Sequence, residues 1–353
     1  MPLCPTCSSA NPEAARFCNQ CGSRLGAPQA SGERQPYTPK HLADRILGQR
    51  AAMRGERKRV TVLFCDLKGS TRLAQQAGAE AWHGILDRFF AILSAAVHRY
   101  EGTVNQYTGD GIMALFGAPL ALEDHAQRAC LAALEMQREL RRYADELRLS
   151  SGLNLSLRVG LNSGEVIVGA IGDDLRMDYT AQGLTVNLAA RLEQICEPGQ
   201  VYLSRDSARL VEGYFALRDL GRLAVAGLDE PVEVCALEGE GALKTRLDRS
   251  LARGGSPFIG RDAEIAQLTS TLERARAGQG QVIAVTGEAG IGKSRLCHEF
   301  AALCGDAGFE VHRATGVPYG SALPLHPIRT LAPSRKCRSS TSSTSGCSIG
   351  QGR

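Results

Sequence analysis

The chain has 353 residues, 43% apolar and 22% charged, which predicts a globular protein of about two to three domains. Its net charge of +4 comes from residues 334–353, where Arg335, Lys336, Arg338 and Arg353 face no acid, so no basic field points to nucleic acid. No run approaches the about 18 apolar residues needed to cross a bilayer, and Met1-Pro2-Leu3-Cys4-Pro5 has no secretory pattern, so no membrane partner and a cytoplasmic location are expected.

In chain order, residues 1–25 form a small cysteine module. Cys4-Pro5-Thr6-Cys7 and Cys18-Asn19-Gln20-Cys21 make two Cys-x-x-Cys knuckles, a spacing that places four thiolates on one structural Zn²⁺ in a zinc ribbon. So small a unit has too little core to fold without the metal. The other cysteines are scattered, several in apolar runs, which fits a reduced compartment and buried thiols. Residues 26–56 read as a linker rich in Gly, Pro and Ser.

Thr61–Cys65 reads as a buried strand. Trp82, Ile85, Leu86, Phe89, Phe90, Leu93, Val97 and Tyr100 recur at helical spacing across 79–100. Thr103–Tyr107 and Ile112–Phe116 flank Gly109-Asp110-Gly111, a hairpin signal. A second long helix is expected over Asp124–Leu147. Leu153, Leu155, Leu157, Val159 and Leu161 alternate as a half-buried strand, with further strands expected at Glu165–Ala170 and Leu175–Ala181. Leu184, Leu188, Leu192 and Ile195 give a third helix its apolar stripe. This order predicts an α+β fold with helices on a mostly antiparallel sheet. Residues 239–255 read as a second linker.

Residues 256–333 look like the start of a P-loop unit. Gly287-Glu288-Ala289-Gly290-Ile291-Gly292-Lys293-Ser294 matches Gly-x4-Gly-Lys-Ser between an expected strand, Val282–Thr286, and a helix, Arg295–Leu303. Gly287, Gly290 and Gly292 let backbone cradle phosphates, Lys293 reaches the β/γ-phosphates and Ser294 holds Mg²⁺. No later apolar strand ends in an acid, so this partial α/β unit is not expected to hydrolyse ATP. Residues 334–353 lack a core-forming pattern and are expected to be disordered.

Asp66 ends the first strand run and Asp110 sits in the hairpin turn, each beside or near glycine. Two such carboxylates can hold hard divalent cations, which in turn hold a nucleoside triphosphate. Residues 67–71 should turn into a helix whose free N–H groups receive phosphate oxygens. Asn187 and Arg191, four apart, share one helix face.

In their order and spacing, these segments resemble the catalytic domain of the class III adenylate/guanylate cyclases, over about residues 57–238. The layout is similar to the soluble type followed by an AAA-like NTPase module. The resemblance implies a ferredoxin-like cyclase domain that converts ATP to 3′,5′-cyclic AMP and pyrophosphate in signal transduction. It implies two Mg²⁺ or Mn²⁺ ions on Asp66 and Asp110, a ribose contact from Asn187, and α-phosphate stabilisation by Arg191. It also implies a homodimer, since Asn187 and Arg191 would serve the partner's site.

Two base-selecting positions fall on Gln106 and Thr180. Thr180 matches adenylate cyclases that include bicarbonate-responsive forms. Gln106 matches neither the Lys of adenylate cyclases nor the Glu of guanylate cyclases, though its amide can bond an adenine edge. Ala226 stands where relatives often carry Lys. Slow catalysis or ambiguous purine choice is therefore expected, and the alternatives are a guanylate cyclase or a catalytically weak nucleotide-sensing module.

Overall fold

The computed structural model describes residues 56–168, 184–228, 230–243, 245–314 and 316. Cys4, Cys7, Cys18 and Cys21, expected to bind zinc, Thr180, expected to select the base, the expected strand at 175–181 and the 334–353 tail lie outside them.

The chain runs β1 (Glu56–Leu67), α1 (Ser70–Ala77), α2 (Ala79–Arg99), β2 (Thr103–Tyr107), β3 (Gly111–Phe116), α3 (His125–Ser151), β4 (Leu157–Val168), α4 (Leu184–Ile195), β5 (Val201–Ser204), α5 (Arg205–Val211), β6 (Phe215–Leu223) and β7 (Val232–Glu240). The seven strands form one sheet in the order β2-β3-β1-β4-β5-β7-β6. Every pairing is antiparallel except β4 with β5. With β1 central between β3 and β4, strands β1 to β4 and helices α2 and α3 make a split βαβ pattern, the ferredoxin-like topology that the resemblance implies.

Alternation along β1 divides two cores. Leu63, Cys65 and Leu67 face α2 and α3, where Phe89, Leu93, Val97, Ala133, Met136 and Leu140 close over them. Val60 and Val62 face the other way, with Met113, Leu115, Val166 and Ala189. Phe89 is fully buried, and burying a side chain of that size is worth about 1.5–3 kcal/mol.

A polar seam crosses this apolar interior. Thr61 Oγ1 lies 2.7 Å from both His125 Nδ1 and Ser163 Oγ. Ser207 continues it to Ser163 and Ser204 at 3.0 Å each. Ser204 donates to Asn162 at 2.6 Å, and Asn162 donates to the Thr185 carbonyl of α4 at 2.9 Å. Linking them satisfies groups whose burial alone would cost stability.

Several expectations shift. Leu153 and Leu155 are buried but precede the strand, which starts at Leu157 and absorbs most of the segment expected at 165–170. Of the expected stripe on α4, Leu192 is fully buried and Leu188 and Ile195 pack beside it, but Leu184 is 79% exposed, and Ala189 and Glu193 are buried as well. The close approach of β4 at Gly160 fixes that rotation: a Cβ there would stand 2.3 Å from the Glu193 nitrogen.

The 239–255 stretch, expected as a linker, holds the end of β7 and a helix, α6 (Arg246–Ala252). Thr245 and Asp248 close its N-terminus as a capping box. Arg249 donates to the carbonyls of Arg209 and Leu210 at the end of α5, at 3.2 and 3.3 Å. Arg246 pairs with Glu123 at 2.8 Å and Arg253 with Glu212 at 3.2 Å. Together they strap α6 across the cyclase-like unit.

Beyond it lie α7 (Asp262–Arg276) and α8 (Lys293–Asp306). The expected strand at 282–286 does not form, and the described part of this expected α/β unit is two helices. A strand needs a ladder partner for its N–H and C=O groups, and among the described residues none pairs with it. Among the described residues no helix is long and apolar enough to cross a membrane.

Candidate active site

Strand register builds the site. Asp66, one residue from the end of β1, stands opposite Gly111 on β3 and Arg158 on β4. Asp110 precedes Gly111, and its carbonyl accepts from the Leu67 N–H at 3.0 Å. Only glycine fits at 111, since a Cβ would lie 2.0 Å from the Cys65 carbonyl oxygen. That close approach brings the Asp66 and Asp110 carboxyl groups within hydrogen-bonding reach of each other.

The pair sits at the start of α1. Gly69 takes a left-handed φ of 72° before the helix, and Ser70 Oγ, on its first turn, donates to Asp110. Burial pushes the Asp66 carboxyl up from its usual range, Asp110 pushes the same way, and Arg158 opposes them. Two ionised carboxylates this close repel each other. Two hard oxygen donors at a helix N-terminus therefore fit a divalent cation with a polyphosphate beside it.

Two further residues join them. Arg158 Nη2 lies 2.8 Å from Asp66 Oδ2 and 2.9 Å from Glu193 Oε1. Burial pushes the Glu193 carboxyl up to about 7, with Asp66 and Asp110 adding to the rise and Arg158 countering it. Neither residue is among those the sequence patterns single out. Their signal was present: an Arg inside the apolar strand Leu157–Leu161, and a Glu beside Leu192 on a helix face that should be apolar.

Asn187 and Arg191 occupy a different side of α4. Residues two apart on a helix do not share a face, so Arg191 points away from the side on which Glu193 meets Arg158 and Asp66. Asn187 is exposed and Arg191 half-buried. Arg191 Nη1 donates to Gln194 at 2.7 Å, and its other terminal nitrogen lies 3.8 Å from where a Cβ on Gly227 would stand. The Ala226 loop therefore runs along Arg191. Gln106 is exposed on β2, next to a register shift.

In the second nucleotide motif, Gly290 and Gly292 take left-handed φ values of 83° and 96°. Lys293 Nζ donates to the loop carbonyls of Gly287 and Glu288 at 2.9 and 2.7 Å. Ser294 follows it in the first turn of α8.

Residues 53–239 match the family described as the adenylate and guanylate cyclase catalytic domain, and residues 257–345 match the AAA ATPase domain. Adenylate cyclase 1 of Rhizobium meliloti (strain 1021) is 35% identical over 162 residues, covering 44% of this chain and 24% of that protein. An uncharacterised protein of the same organism is 29% identical over 303 residues, covering 84% of this chain and 29% of its own length. The chain thus spans less than a third of either relative. Among solved structures, the adenylyl cyclase CyaB of P. aeruginosa is 32% identical with a TM-score of 0.49, covering 55% of this chain and 97% of its own. The guanylyl cyclase Cya2 is 30% identical with a TM-score of 0.49, covering 54% and 96%.

Proposed function

The chain belongs to the adenylate and guanylate cyclase catalytic family, and from that premise we propose that it converts ATP to 3′,5′-cyclic AMP and pyrophosphate. The observation that carries the reading is the Asp66–Asp110 pair at the start of α1. These two carboxylates would hold two Mg²⁺ or Mn²⁺ ions, which when bound would neutralise triphosphate charge and lower the pKa of the ribose 3′-hydroxyl.

The free N–H groups at the start of α1 take triphosphate oxygens. The 3′-oxygen gives its proton to solvent water and bonds to the α-phosphorus, while the bond from that phosphorus to the bridging oxygen breaks and pyrophosphate leaves. Arg191 stabilises the charge that gathers on the α-phosphate, and Asn187 orients the ribose. Gln106 and Thr180 read the base edge through hydrogen bonds.

Arg191 and Asn187 face away from their own chain's aspartates, which supports a homodimer with each site completed by the partner. The 35% identity to an adenylate cyclase favours ATP. Gln106, matching neither purine class, keeps GTP as the second reading. The four N-terminal cysteines would hold one structural Zn²⁺, and the P-loop unit would regulate.

The test is turnover of ATP and, separately, GTP with Mn²⁺, reading cyclic nucleotide by mass. Cyclic AMP should form and vanish in Asp110→Ala and in Arg191→Ala. Mixing those two inactive variants should restore about a quarter of wild-type rate through heterodimers with one intact site. No product from either nucleotide, in a folded protein that binds them, would leave a nucleotide-sensing module.

A further inference from the structure

One guanidinium serves two carboxylates beside the site. Arg158 Nη2 reaches Asp66 at 2.8 Å and Glu193 at 2.9 Å, and all three side chains are largely buried. Neither arrangement is saturated: Glu193 Oε1 and Arg158 Nε are buried without a well-formed hydrogen bond. Among the described residues, Arg158 is otherwise tethered by Nη1, which donates to the Gln194 carbonyl at 3.2 Å.

Glu193 is there by construction. Gly160 lets α4 lie directly on β4, so that a Cβ at 160 would meet the Glu193 nitrogen at 2.3 Å and the Ala189 carbonyl at 2.4 Å. A buried carboxylate costs stability unless it is paired, and Arg158 is the partner this packing supplies. Yet Arg158 also covers Oδ2 of Asp66, an oxygen that a divalent cation needs.

We propose that Glu193 is a positioning residue: it offers Arg158 a second berth and so frees the Asp66 carboxylate for the cation. This inference rests on the reading of Asp66 and Asp110 as the cation ligands. With Glu193 in place, Arg158 keeps a charge-assisted partner after leaving Asp66. Without that charge, Arg158 stays on Asp66 and competes with the metal.

The experiment is Mn²⁺ binding to the full chain without nucleotide, read by the electron paramagnetic resonance of free Mn²⁺. Wild type should bind, and Asp66→Ala should not. Glu193→Gln, nearly the same shape, should weaken binding about tenfold, the scale of one charge-assisted contact. Glu193→Asp should recover most of the loss. In an Arg158→Ala background, Glu193→Gln should change nothing further, because its effect passes through Arg158.

Unchanged binding in Glu193→Gln would overturn the inference. So would an equal loss with and without Arg158, since that would be the field of a nearby charge alone. Binding that persists in Asp66→Ala would instead overturn the ligand assignment, and the inference with it. The outcome with Asp66→Ala thus separates the two failures.

Discussion

Val62 and Val282 both sit in apolar runs that read as strands, yet the first is fully buried and the second fully exposed. Val62 belongs to β1, which has β3 on one side and β4 on the other. The run 282–286 has no ladder partner among the described residues. The two regions carry the same kind of local signal, and only one of them has the neighbours to use it. Local pattern proposes a strand; pairing and burial on both faces decide it.

The same contrast applies to their nucleotide motifs, and the largest test of it is functional. Asp110→Ala should lower cyclic nucleotide formation by about 10³-fold, the scale of losing metal-borne charge stabilisation. Lys293→Ala should leave the basal rate within about threefold, since the proposed reaction uses no part of the second loop. A collapse of rate in Lys293→Ala, measured at saturating ATP, would break the comparison.

The next test is of packing. Gly160→Ala should cost about 1–3 kcal/mol, because the added Cβ meets backbone on α4 that cannot step aside. Gly280→Ala, with open space around it, should stay within about 0.5 kcal/mol. Denaturant melts of the two variants check this. Equal losses would mean that the second region is packed as tightly as the first.

A pH series sharpens the picture of the site. The Glu193 carboxyl is held at about 7 in the folded chain, above its usual 4.5. The folded state therefore keeps the proton that the unfolded state gives up. The resulting penalty is absent below about 4.5, grows as pH rises, and is complete above about 7. Glu193→Gln removes it, so the variant should lose about 1–3 kcal/mol less than wild type between pH 4.5 and 7. Parallel stability curves for the two would place Glu193 in a more solvated setting.

The smallest effect concerns the strap. Arg249→Ala should cost about 1 kcal/mol, the worth of its hydrogen bonds to the end of α5, with an unfolding midpoint a few degrees lower. No shift in the melt would make α6 a passenger.

Much of the first region was legible in the sequence because period and turn chemistry agree there. The apolar run of β1, helical spacing in α2 and the Gly-Asp-Gly turn each point to the element found. The aspartate pair was legible because each acid interrupts an apolar run at a glycine. Arg158 and Glu193 were harder, since their meeting depends on the register between β1 and β4 and on how closely α4 approaches. Neither quantity is written in spacing along the chain. Leu184 misled because an apolar stripe does not say where a helix's packing partner ends. Strands β5 to β7 lack a strong local period: every residue of β5 is buried, and bulges break the register of β6 against β7. The strap α6 carried its signal in Thr245 and Asp248, hidden between glycine-rich flanks.

That strap changes where the catalytic unit ends as a movable piece. The family match stops at residue 239, at the close of β7. A gene fragment cut there would leave the carbonyls of Arg209 and Leu210 without their arginine, and Tyr214 without the cation over its ring. The natural seam for recombination or grafting lies further on, at Gly254-Gly255, where α6 has already been carried along.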